Sequence, residues 1–118
     1  MQLAGHPVIG MSWEGFVLEN IINHLPWRST PFFYRTAKGA EIDLIVENGD
    51  GTVWAIEIKR SLSAKVRKGF YTAYDDIKPD RAFVVHSGDD RYPLSKNVEA
   101  ISLYELINEM QKNPADYL

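Results

Sequence analysis

Asn48-Gly49-Asp50-Gly51 lies between two stretches of alternating side-chain character, and this combination constrains the fold more than any other feature of the chain. Asn-Gly and Asp-Gly pairs accept the positive backbone angles of tight hairpin turns. Before the turn, residues 40–47 alternate, with Ala40, Ile42, Leu44 and Val46 expected on one side and Asp43 and Ile45 on the other. After it, residues 53–59 set Trp54, Ile56 and Ile58 against Val53, Ala55, Glu57 and Lys59. Strands joined this closely pair antiparallel. An aromatic run over residues 31–36, closed by Ala37-Lys38-Gly39, adds a strand in front and completes a three-stranded meander.

Helices frame the meander. Residues 12–25 carry a broad apolar face (Trp13, Phe16, Val17, Leu18, Ile21, Ile22, Leu25), with Ser12 as N-cap and Pro26 as terminator. Val66, Phe70, Ala73 and Ile77 at helical spacing predict a second helix over residues 63–76. The apolar run Ala82-Phe83-Val84-Val85 reads as a buried strand. The crossover that leads to it makes it parallel to the strand bearing Glu57. A polar loop is expected over residues 87–97, then a short strand over 98–101. Ser102 and Glu105 have capping-box spacing and open a last helix. The predicted order is α-β-β-β-α-β-β-α, an α/β fold with a mixed central sheet flanked by helices, as a single domain over residues 1–118.

Composition removes several function classes. The 118 residues contain no cysteine, which excludes disulfides and thiolate-bound zinc and fits a cytoplasmic protein. No apolar run has the length of a membrane span, and the first residues lack the pattern of a signal peptide. A net charge of −3 argues against coating nucleic acid by bulk charge. His6, His24 and His86 lack ligand-like spacing.

The charge distribution is more informative than its sum. Glu41, Asp43, Glu47 and Asp50 crowd one stretch; Lys59, Arg60, Lys65, Arg67 and Lys68 follow with no acid among them. Two readings fit: opposite solvated faces, or a metal-binding pocket beside a phosphate-binding rim. Glu57 and Lys59, two apart on a strand, project side by side. A carboxylate suits a hard cation such as Mg²⁺, and an adjacent ammonium can orient an attacking water. Asp43 falls across the hairpin from Glu57, and two acids so placed repel unless a cation or a proton lies between them. Glu14 shares a helix stripe with Val17, Leu18 and Ile21, where it either needs a partner or sits exposed at the positive end of the helix dipole.

Taken together, the helix glutamate, the strand aspartate and Glu57-Ile58-Lys59 resemble the PD-(D/E)xK nuclease superfamily, whose members include restriction-endonuclease-like and Holliday-junction-resolvase-like domains. Gly5-His6-Pro7, Trp13-Glu14-Gly15-Phe16-Val17-Leu18-Glu19-Asn20, Phe33-Tyr34-Arg35-Thr36, Gly39-Ala40-Glu41-Ile42-Asp43 and Ile56-Glu57-Ile58-Lys59-Arg60-Ser61 are similar to one branch. That branch is the C-terminal domain of unknown function of prokaryotic AAA+ ATPases. The resemblance implies Asp43 and Glu57 as ligands of Mg²⁺ or Mn²⁺, with Glu14 as a ligand or a group acting through water. It implies Lys59 as the residue that positions the attacking water and offsets charge at the phosphate, so that the catalytic set is Glu14, Asp43, Glu57 and Lys59. Arg35 and Ser61, with Arg60, Lys65, Arg67 and Lys68, are the substrate-side candidates. The implied function is metal-dependent hydrolysis of DNA phosphodiester bonds. The alternative is a catalytically silent module that binds nucleic acid or protein. The chain has no G-x-x-x-x-G-K-[ST] loop, so the ATPase portion is expected in residues outside it. The sequence is also compatible with a homo-oligomer.

Overall fold

The computed structural model describes residues 12–61, 66–95 and 97–112. Ser12 caps α1 (Trp13–Asn23), its hydroxyl accepting from the Gly15 N–H at 3.0 Å. The chain then runs through β1 (Thr30–Arg35), a turn with Gly39 at φ 94°, β2 (Glu41–Glu47) and β3 (Val53–Ile58). Between β2 and β3, Asp50 ties the turn down by accepting from the Thr52 N–H at 2.9 Å. The next elements are α2 (Lys68–Ile77), β4 (Arg81–His86), β5 (Tyr92–Ser95), β6 (Val98–Ser102) and α3 (Leu103–Gln111), the last capped by Ser102.

The six strands form one mixed sheet in the order β1-β2-β3-β4-β6-β5. β1, β2 and β3 make the antiparallel meander; β4 joins β3 in parallel, with Glu57 opposite Val84, and β6 continues the parallel run. α1 and α3 cover one face, where Val17, Ile21, Leu44, Val46, Ile56, Phe83, Ile101 and Leu106 form the larger core. α2 covers the other, packing Phe70 and Ala73 on Ile42, Ile45, Ala55 and Val84. Among the described residues no helix is long and apolar enough to cross a membrane.

Three sequence expectations need correction. The segment 87–97 is not all loop: Tyr92–Ser95 pairs antiparallel with β6 as the far edge strand. Ile42 does not share a face with Leu44 and Val46 but packs with Ile45 under α2. The cause is a register shift: between the pairs Phe32–Ile45 and Tyr34–Ile42, β1 advances two residues and β2 three, so the extra residue is in β2 at Asp43-Leu44, opposite Phe33. The second helix begins at Lys68, with Val66 and Arg67 outside it, and residues 63–65 of the expected span lie outside the described residues.

Gly69 fixes where α2 begins. A β-carbon at this position would lie 2.3 Å from the Gly39 carbonyl oxygen, so only glycine lets the helix start come this close to the β1–β2 turn. Arg67, the N-cap residue of α2, is thereby held beside the ends of β2 and β3.

Candidate functional site

Asp43 and Glu57 lie at the point where the β2–β3 ladder gives out. The last backbone pairing is Leu44 with Ile56. One step further, the Ile58 N–H donates to Asp43 Oδ2 at 2.8 Å instead of to a strand partner. Lys59, just past the end of β3, keeps a backbone bond to the Val85 carbonyl at 2.8 Å. The site therefore sits at the carboxyl end of β3, the side of an open α/β sheet on which ligands characteristically bind.

Glu57 is fully buried, and its charge is met by Arg67. The guanidinium grips it in a fork, Nε donating to Oε2 at 2.9 Å and Nη2 to Oε1 at 3.0 Å. The same Nη2 lies 3.5 Å from Asp43 Oδ1, and Nη1 lies 3.1 Å from Glu41 Oε1. Arg35 reaches the other Glu41 oxygen at 3.0 Å. The repulsion expected between Asp43 and Glu57 is thus relieved by an internal cation.

Burial, and after it the Asp43 charge, push the Glu57 carboxyl up to about 7 against the opposing pull of Arg67. Arg67 is held above its ordinary value: Glu57, Asp43 and Glu41 outweigh the cost of its own burial. Glu41 is lowered, first by its bond from Arg35 and then by Arg67, against a smaller opposing effect of burial.

A cleft of about 350 Å³ opens over this cluster, lined by Glu14, Gly15, Leu18, Phe33, Asp43, Ile58, Lys59 and Arg67. Glu14, Asp43 and Lys59 therefore share one cavity, and Glu57 meets it through Arg67. Glu14 is exposed in the first turn of α1, the second of its two readings, instead of facing the core. Of the substrate-side candidates, Arg67 is in the cleft, while Arg35 is exposed and tied to Glu41. Arg60 and Ser61 line a neighbouring cavity with His86, Ser87, Gly88 and Asp90, Lys68 is exposed, and Lys65 lies outside the described residues. His86 is turned inward, bonded to the Gly88 N–H and the Asp90 carbonyl.

Two participants have a different role in the sequence reading, or none. Arg67 appears there as one of several basic rim residues, because nothing local shows that it folds back onto acids ten and twenty-four positions earlier. Phe33 is a large exposed ring on β1, opposite the extra residue of β2, and it lines the cleft with Asp43. Its signal is the doublet Phe32-Phe33, which puts an aromatic on each side of a strand that leaves both exposed.

The donor chemistry suits a hard cation. Mg²⁺ is commonly held by one or two carboxylates with water completing its shell, and Asp43 and Glu57 are such a pair. Among the described residues no group of three or more His, Asp or Glu side chains is arranged to hold a metal. As folded, Arg67 already binds both Glu57 oxygens and one from Asp43. An ion at these two carboxylates would have to take the place of that guanidinium.

Comparison with known proteins gives a family and no activity. The family described as "Domain of unknown function (DUF4143)" matches residues 9–106. An uncharacterized protein of Mycobacterium bovis and one of Mycobacterium tuberculosis are each 35% identical over 108 residues, 91% of this chain and 24% of theirs. The chain thus spans about a quarter of the length of these relatives. No solved structure matches.

Proposed function

The chain belongs to the DUF4143 family, and we propose that its domain is a metal-dependent nuclease-like module of the PD-(D/E)xK kind, acting on DNA phosphodiester bonds with Mg²⁺ or Mn²⁺. One observation carries this reading: a buried glutamate and a strand aspartate meet where two strands part, under a cleft that also holds Glu14 and Lys59. A purely structural ion pair would not require a lysine and a second glutamate around an open cavity.

Asp43 and Glu57 would hold the ion, with Glu14 beside it. Bound there, the ion would supply Lewis-acid charge to a phosphate oxygen. Lys59, whose ammonium has no lone pair for a metal, is left to orient the attacking water and to offset charge building on the phosphate. Phe33 offers a ring face on which a nucleobase can stack. The relatives' greater length leaves room for the ATPase portion that the sequence resemblance implies.

A second reading, a silent module that binds nucleic acid, is favoured by the absence of a three-ligand cluster among the described residues. Lys59→Ala separates the two. In cleavage of branched, single-stranded and duplex DNA with Mg²⁺ or Mn²⁺, an enzyme should lose roughly 10²–10³-fold in rate. A binder should lose one phosphate contact, flattening the salt dependence of binding by about one unit of slope. Wild-type protein that binds DNA and never cuts it, alone or joined to the rest of its longer chain, would refute the nuclease reading.

A further inference from the structure

We propose that Arg67 is a resident cation that exchanges with a divalent ion, leaving Glu57 and Asp43 for the phosphate of a bound nucleic-acid strand; this rests on the metal site proposed above. The exchange couples metal binding to nucleic-acid binding through one side chain.

The seat of Arg67 is the seat of the ion. Its fork takes both Glu57 oxygens, and Nη2 also lies against Asp43 Oδ1. A divalent ion placed between these carboxylates would meet the guanidinium at contact range, and two cations do not share such a seat. Without an ion, the buried Glu57 needs a positive partner, and Arg67 provides it.

Arg67 is also placed to leave. It precedes the first turn of α2 with an extended backbone (φ −63°, ψ 146°), and its own side chain makes no capping bond to that helix. The side chain is partly open to solvent. Nη1 already points outward to Glu41, which Arg35 holds from the far side. The hinge lies on the side chain alone, because the contact of Gly69 with Gly39 pins the backbone that follows. Once free, the guanidinium lies in the same cleft as Lys59. Its paired donors match two phosphate oxygens, a geometry an ammonium cannot reproduce.

A coupling of this kind is reciprocal: whatever factor the ion adds to strand affinity, the strand adds to ion affinity. The test uses Ca²⁺, so that binding is read without turnover, and a single-stranded oligonucleotide at fixed ionic strength. Calorimetry gives ion affinity, and fluorescence anisotropy gives strand affinity with and without Ca²⁺. In wild type, Ca²⁺ should tighten strand binding several-fold. Arg67→Gln should bind Ca²⁺ about tenfold tighter or better and lose the coupling. It should also show a salt slope about one unit flatter with Ca²⁺ present and an unchanged slope without it.

Should Arg67→Gln fail to fold, Arg67→Lys keeps a charge beside Glu57 without the fork: it should bind Ca²⁺ tighter than wild type, by less than the Gln variant would, with the salt slope kept. Calcium affinity that stays equal or falls on replacing Arg67, in protein that binds the ion, overturns the exchange and leaves the metal site standing. A salt slope that flattens equally with and without Ca²⁺ also overturns it, since Arg67 would then contact the strand before any ion arrives. No Ca²⁺ binding in either protein overturns the metal site itself, and the exchange with it.

Discussion

Gly69→Ala tests the part of the fold on which the site depends. In an open helix this change stabilises, because glycine is about 1 kcal/mol poorer than alanine. Here the added methyl would lie 2.3 Å from the Gly39 carbonyl oxygen, which belongs to the backbone of a turn and not to a yielding side chain. Ordinary contact needs about 1 Å more, and forcing such an overlap apart costs typically 1–3 kcal/mol. A backbone-to-backbone overlap belongs at the upper end of that range. Subtracting the helix gain leaves a net loss of about 2 kcal/mol. Urea denaturation measures it directly, with Thr72→Ala on the exposed side of α2 as the comparison. Thr72 only bonds back to the Lys68 carbonyl at 3.2 Å, so its replacement should be neutral or stabilising. Gly69→Ala as stable as wild type, with an unchanged denaturant slope, would refute the account of how α2 and Arg67 are placed.

Two other measurements address the carboxylates. Glu57, with its carboxyl raised from an ordinary 4.5 to about 7, holds a proton in the folded state over a window in which the unfolded chain has lost it. Stability contributed by this group is therefore complete below about 4.5 and is lost as pH rises to about 7, by up to about 3 kcal/mol. With chelator present, the stability of wild type relative to Glu57→Gln should fall across that window; a relative stability that rises with pH would show that Arg67 outweighs burial. For Asp43, Mg²⁺ or Mn²⁺ at a hundred times its dissociation constant should stabilise wild type by about 3 kcal/mol in thermal unfolding. Asp43→Asn should lose most of that gain, and an equal metal-induced shift in both proteins would place the ion elsewhere.

What the sequence reveals about this fold is what short-range chemistry decides. The hairpin at 48–51, the caps Ser12 and Ser102 and the buried run at 82–85 each depend on neighbours within a few residues, and each is found where local patterning puts it. β5 escapes because Tyr92-Pro93-Leu94-Ser95 is largely exposed and carries a proline, features that an edge strand tolerates and a loop shares. The displacement of Ile42 escapes because the residue types of β2 alternate evenly, and the extra residue at Asp43-Leu44 shows only once β1 is laid beside it. At the site, the opposition of Asp43 and Glu57 follows from strand register and is legible. The hand of Arg67 is not: an arginine ten residues downstream of Glu57 returns to it only because a glycine lets α2 dock.

β1 forms one border of the sheet, and among the described residues no strand lies on its outward side. Such a border, carrying Phe32 and Phe33, is the kind of template along which identical chains stack into fibres. Two features of β1 work against that. Pro31 cannot donate a backbone hydrogen bond, and Arg35 brings charge. The strand that faces the cleft with Phe33 therefore also carries, in Pro31 and Arg35, the residues that keep its free side from templating another chain. Substitutions that replace Pro31 and Arg35 with apolar β-formers should cost solubility while leaving Asp43 and Glu57 in place.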